Sequence, residues 1–202
     1  MIRMSRITHD VFGPGSNTEG RIFQDYDKLL EKIRSCKELG LMIVLTSGTY
    51  DLSHIGHYCY LEKARQSGDI LIVGVDSDEK VKKKKGPNRP IVDEKERMEI
   101  LCHCRHVDIV FLKGAEDPKW HLVKIVQPNV LIVSKREYQK ECDLADIENV
   151  CGKIVFLESQ ATTSTTAKIR RILIEPANKI KEQLRAVVEE VCGFLDDLTG
   201  GG

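Results

Sequence analysis

No apolar run in the 202-residue chain approaches the roughly 20 residues needed to span a bilayer, and the polar N-terminus lacks the apolar core of a secretory leader. Those absences predict a soluble, cytoplasmic protein. Net charge is lacking too: 31 Lys and Arg balance 31 Asp and Glu, so the overall field gives no reason to expect a nucleic acid or a membrane surface as partner. Aromatic residues are scarce at 5%, with a single tryptophan, Trp120. The seven cysteines (Cys36, Cys59, Cys102, Cys104, Cys142, Cys151 and Cys192) are odd in number, and no pair has the spacing of a zinc knuckle or a thiol redox pair. A reducing compartment follows. The run Cys102-His103-Cys104-Arg105-His106 lies at the end of an amphipathic helix, where residues one and two apart do not share a face, so it reads as small buried side chains rather than a metal site.

What is present is an ordinary globular composition, 41% hydrophobic and 31% charged, at a length suited to one α/β domain with appendages. Residues 1–22 read as a polar, Gly/Ser/Asn-rich N-terminal arm. Helical spacing from Asp25 to Leu39 stops at Gly40, and Met42 to Thr46 follows as a buried strand. The pattern repeats: helix Ile55 to Gln66, strand Ile70 to Val75, helix Asp93 to about Cys104, strand Val107 to Leu112. Asp117-Pro118 opens the next helix, Pro128 closes it, and Val130 to Val133 and Lys153 to Leu157 complete five strands. Short apolar strands alternating with helices predict an α/β fold, a doubly wound, Rossmann-like five-stranded parallel sheet of order 3-2-1-4-5, with ligands at the strands' carboxyl ends. The main domain spans 23–175. A C-terminal helical tail, 176–202, follows Pro176 and carries the apolar stripe Ile180, Leu184, Val187, Val188, Val191, Phe194, Leu195 and Leu198, which packs on its own domain or on a second subunit.

The most informative segment follows the first of these strands: Ser47-Gly48-Thr49-Tyr50-Asp51-Leu52-Ser53-His54-Ile55-Gly56-His57. A strand, a glycine turn and a helix N-terminus present backbone N–H groups and a positive dipole end, which suits phosphate. His54 and His57, three apart, share a helical face, and Gly56 between them leaves room for close approach. Just beyond the second strand, Lys80, Lys82, Lys83, Lys84, Lys85 and Arg89 place six positive charges and no acid within residues 80–89, leaving the rest of the chain at −6. A polyanionic ligand is expected there. A third element, Thr162-Thr163-Ser164-Thr165-Thr166, precedes a helix and offers hydroxyls and a helix N-terminus as a second phosphate cradle.

The segment resembles the His-x-Gly-His motif of the nucleotidyltransferase superfamily that includes the cytidylyltransferases and sugar-phosphate adenylyltransferases. The resemblance runs from about Tyr26 to Leu173 and includes Val75-Asp76-Ser77-Asp78, Lys85-Gly86-Pro87-Asn88-Arg89-Pro90, Glu96-Arg97-Met98, Val107-Asp108 and Ser164-Thr165-Thr166. Among the branches, the chain is most similar to the adenylyltransferase module of bacterial ADP-heptose synthesis. Glycerol-3-phosphate cytidylyltransferase and archaeal FAD synthetase are close relatives. The resemblance implies attack of a phosphate monoester on the α-phosphorus of ATP or CTP, with Mg²⁺ accompanying the triphosphate and a homodimer as the assembly. It assigns His54, His57, Lys82 and Lys85 to catalysis, although the choice among neighbouring lysines stays open. Gly48, Thr49, Tyr50, Gly56, Arg97, Ser164, Thr165 and Thr166 fall to nucleotide and phosphate binding, and Asp51, Ser134, Lys135 and Tyr138 to the substrate pocket. No metal ligands are assigned.

The acceptor expected is a small phosphorylated, polyhydroxylated molecule, foremost a sugar 1-phosphate. No aromatic cluster in the motif loops offers to stack a flavin ring, which weighs against FMN. One departure bears on the acceptor: where heptose-active relatives usually carry Lys-Gly-Gly-Asp-Tyr after the fourth strand, this chain has Ser134-Lys135-Arg136-Glu137-Tyr138. Two readings compete. His-Ile-Gly-His also marks class I aminoacyl-tRNA synthetases, but neither a second signature lysine loop nor a tRNA-binding domain is found. A nucleotide-binding regulator without turnover is the other.

Overall fold

The computed structural model describes residues 18, 20–135, 144, 146–158 and 165–199. Its elements are β1 (Ile22–Phe23), α1 (Tyr26–Glu38), β2 (Ile43–Gly48), α2 (Ile55–Arg65), β3 (Ile70–Asp76), α3 (Asp78–Lys85), α4 (Glu94–Cys102), β4 (Ile109–Lys113), α5 (His121–Val126), β5 (Val130–Ser134), β6 (Lys153–Leu157) and α6 (Thr165–Thr199). The strands form one sheet in the order β1-β4-β3-β2-β5-β6, every pairing parallel. Its last five members are the expected 3-2-1-4-5 arrangement. The sixth is a correction: the supposed arm contributes β1, whose Ile22 and Phe23 pair with Val110 and Phe111 at the β4 edge. Two residues are too few to show a period, and what fixes them is distant: Arg21 donates to the carbonyls of Val107 and Asp108.

A parallel sheet covered on both faces needs strands that are apolar on both faces. β3 is buried at all seven positions. Its Ile70 and Ile72 join Leu45, Phe111 and Leu131 in a cluster with Leu29 and Ile33 of α1 and Val123 of α5. Leu71, Val73 and Val75 point to the other face, against Leu61 of α2 and Met98 and Leu101 of α4. The alternation thus builds two cores from one strand.

Three further corrections concern helices. The lysine run, for which no helix was predicted, forms α3, because Ser77 caps it by accepting from the Lys80 N–H, and Gly86 ends it at φ 95°. Asp117-Pro118 does not open α5, which begins at His121 after Trp120 in the left-handed region. Asp117 accepts instead from the Gly114 N–H and the Tyr26 hydroxyl. Pro176 does not interrupt the C-terminal helix: α6 runs through it, so the boundary drawn at 176 falls inside one helix. Two compact units divide the chain, 1–162 and 163–202. Among the described residues no helix is long and apolar enough to cross a membrane.

Candidate active site

From β2 the chain crosses to β3 on one side, and β5 later joins on the other, so the carboxyl end of β2 lies at the topological switch point of the sheet. The turn leaving it is strained. Tyr50 and Leu52 adopt φ of 55° and 46°, a region costing non-glycine residues on the order of 1–3 kcal/mol each. Asp51 between them is 3% exposed, accepts from the N–H groups of Ile91 and Val92 at 3.1 and 3.0 Å, and ion-pairs with Arg89 at 2.6 Å. The turn is thereby pinned to residues 89–92. Asp51, expected in the substrate pocket, is instead a buried anchor with its carboxylate already engaged. Arg89 keeps its Nε buried and without a partner among the described residues.

The two histidines form a reciprocal helix cap. His54 is the N-cap of α2, and its Nδ1 accepts from the Gly56 N–H at 3.2 Å, while Nδ1 of His57 accepts from the His54 N–H at 3.3 Å. This is a capping box in which imidazoles replace the usual hydroxyl and carboxylate. The rings stack at 4.1 Å between centroids, and Tyr50 abuts His57 edge-on at 5.5 Å. An Nδ1 that accepts a backbone hydrogen bond cannot carry the proton of a neutral ring. Both rings are therefore held as Nε2–H tautomers, two neighbouring donors at a helix N-terminus. Gly56 itself is buried.

Arg97 ties this turn to the lysine helix. Its side chain is wholly buried and donates to the Thr49 carbonyl at 2.6 Å, the Val92 carbonyl at 3.0 Å and the Asp78 carboxylate at 2.7 Å. It was expected to bind phosphate; the structure places it behind the turn, positioning Thr49 and the start of α3. Lys85 reaches the Thr49 hydroxyl at 3.1 Å, so this lysine, with Gly48 and Thr49, stands at the histidine turn. Lys82, one turn earlier on α3, is exposed. The remaining lysines have other tasks. Lys80 donates to the carbonyls of Gly114 and Asp117, and Lys83 pairs with Glu79 and Glu116.

Lys84 and Lys113 share Asp76, at 3.3 and 3.0 Å. Burial alone would raise the Asp76 carboxyl, but Lys113 and Lys84 more than offset that and hold it below the usual range. On the other flank, Ser134 ends β5 half-buried, and Lys135 pairs with Glu158 at 2.9 Å. Thr165 and Thr166 open α6, whereas Ser164 and Tyr138 lie outside the described residues. Among the described residues no three His, Cys, Asp or Glu side chains gather as a metal site. Asp51 and Asp76 are held by cations. Among the described residues, then, no ligand set is built for a resident Mg²⁺.

The model of the cytidylyltransferase-like family matches residues 45–182, from the middle of β2 into α6. The chain belongs to this family. It is 36% identical over 155 residues to bifunctional protein HldE of Aliarcobacter butzleri, covering 77% of this chain and 32% of that protein. HldE of Helicobacter pylori is 37% identical over 145 residues, covering 72% and 30%. The chain thus spans about a third of the length of these curated relatives. Among solved structures, the lipopolysaccharide core biosynthesis protein from Thermoplasma volcanium superposes with a TM-score of 0.54 at 27% identity, over 60% of this chain and all of that one. Pantoate-beta-alanine ligase from Francisella tularensis, at 19% identity and a TM-score of 0.52 over 82% of this chain and 79% of its own, shares the fold.

Cytidylyltransferase-like proteins are nucleotidyltransferase enzymes, and in this member sequence reasoning missed the polar frame around the motif. Asp51, Asp76, Asp78 and Arg89 stood in the motif segments, but the pairings Asp51–Arg89, Asp78–Arg97 and Asp76–Lys113 had no local signal. Only the sheet register, which sets Asp76 beside Lys113, brings the last two together.

Proposed function

We propose that the chain transfers AMP from ATP to a small phosphorylated acceptor, foremost a sugar 1-phosphate of the heptose type, and releases pyrophosphate. An oxygen of the acceptor's phosphate attacks the α-phosphorus, and the bond to the oxygen bridging the α- and β-phosphorus breaks, its electron pair leaving with pyrophosphate. A phosphate monoester, with its second pKa near 6, is largely dianionic at neutral pH and needs no strong base. What it needs is alignment of two mutually repelling anions and donors for charge that develops at the α-phosphoryl and the leaving group.

The observation that carries this reading is the histidine capping box beside Lys85 at the switch point. It supplies two Nε2–H donors and an ammonium without further ordering. Mg²⁺ enters as part of the substrate, held by the triphosphate's own oxygens. The sugar reading is supported by the HldE relatives and by the structural neighbour named for lipopolysaccharide core biosynthesis.

The test is pyrophosphate release with ATP or CTP against sugar 1-phosphates, glycerol 3-phosphate and FMN. Turnover of ATP with a sugar 1-phosphate is expected. CTP-dependent consumption of glycerol 3-phosphate without ATP turnover would overturn the substrates and keep the reaction; no release from any pair would overturn the reaction and leave a regulator.

A further inference from the structure

Along α6 the apolar residues follow a strict alternation of four and three: Leu173, Ala177, Ile180, Leu184, Val187, Val191, Phe194 and Leu198. This is a heptad seam of mean period 3.5, with Ala177, Leu184, Val191 and Leu198 at a and Leu173, Ile180, Val187 and Phe194 at d. The f positions, opposite the seam, are acidic throughout: Glu175, Glu182, Glu189 and Asp196. A helix that merely lies on a globular face follows a period nearer 3.6. A sustained 3.5 period keeps one stripe facing another helix that runs alongside.

The described part of the seam is exposed along its length. Leu173, Ile180, Leu184, Val187, Val188 and Val191 are 51–65% exposed. The other exposed large apolar side chains described outside α6, Leu39, Met42, Ile55, Ile91 and Phe156, are scattered over the end of α1, the residue before β2, α2, a loop and an edge strand. They form no strip to match a seam of about 39 Å, the length at 1.5 Å each of the helical residues from Leu173 to Leu198. A second α6 supplies such a strip at every layer.

We propose that α6 associates with α6 of further copies of this chain as a coiled coil. Burying the described seam residues removes on the order of 500 Å² per helix, and in sequence the heptads continue beyond them to Leu198. The composition of the seam favours more than two helices. Leu184 and Leu198 at a with β-branched Ile180 and Val187 at d shift preference toward trimers and tetramers, and apolar e positions (Ile174, Val188, Leu195) widen the stripe.

Light scattering of the full chain at tens of micromolar tests the proposal. The expected mass is three or four times 22.9 kDa. The double variant Leu184→Glu/Val191→Glu places unpaired carboxylates at two a layers and should raise the dissociation constant on the order of 100-fold or more. Its mass should fall, and its far-UV helical signal should fall with it, since an isolated solvated helix is marginal. Glu189→Lys, at f, should leave the mass unchanged. A dimer that dissociates in the double variant supports the coiled coil and overturns the preference for more than two helices. A monomeric wild type, or a double variant of wild-type mass, overturns the proposal.

Discussion

His54 and His57 each serve two purposes, and substitutions can separate them. Under the proposed reaction, His57→Ala should lower the rate constant for nucleotidyl transfer by about 100-fold or more, the cost of losing a transition-state donor. It also removes one arm of the α2 cap, worth about 1 kcal/mol. His57→Gln distinguishes the two, because a glutamine at this position of a capping box accepts the same backbone N–H. Thermal denaturation should recover toward wild type in His57→Gln while pyrophosphate release stays low. Asp76 gives a prediction in pH. Its folded pKa lies below the unfolded value of 3.8, so its stabilisation is complete above that value and is lost as pH falls through the folded pKa. Urea midpoints should therefore show Asp76→Asn less stable than wild type at pH 7, with the ion pairs to Lys84 and Lys113 lost, and the gap closing below pH 3.8. The histidines were legible because their spacing is local. The contacts of Asp51 with Ile91 and of Arg97 with Thr49 were not legible, because they join residues 40 and 48 apart, and no pattern within a helix or strand records such a contact.

Elements were legible where their signal was periodic. The five longer strands and the helices α1, α2 and α4 are each bounded by a cap or a glycine and by runs of five or more residues. The two-residue β1 was not, and α3 was obscured because four consecutive lysines have no apolar period, only Val81 being buried. α5 was displaced because Asp117 hydrogen-bonds to Gly114 and Tyr26 rather than capping. The element-level joint is Arg97, on which the turn after β2, the start of α3 and the bend before α4 converge. Arg97→Lys keeps the charge but cannot reach three acceptors in a fork. Breaking a buried pair of this kind costs about 3–5 kcal/mol. The denaturant midpoint of Arg97→Lys should fall accordingly, with unchanged slope, because the surface exposed on unfolding is the same.

At the scale of the whole molecule, the sheet order followed from the sequence because alternating strands and helices allow few right-handed solutions. The division into two units did not, since a proline was taken as a stop although α6 continues through it. The distribution of thiols reflects the same architecture. Cys36, Cys102, Cys104 and Cys151 are buried in the first unit, Cys59 is intermediate, and Cys192 is exposed on α6. Burial pushes the Cys102 thiol up to about 11, so little thiolate forms at neutral pH. Labelling of the native chain with a thiol reagent should modify Cys192 first among these six, and the four buried ones only after denaturant is added. Peptide mapping by mass spectrometry checks the order.

The imidazole cap also limits what the site can react with. An electrophile or a transition metal attacks a ring nitrogen through its lone pair. In His54 and His57 the Nδ1 lone pair is committed to a backbone N–H and the Nε2 position carries the proton. Carbethoxylation or metal ligation there first requires one of these cap hydrogen bonds to break. The motif's histidines are thus chemically quiet toward such reagents for the same reason that they are ready donors toward phosphate.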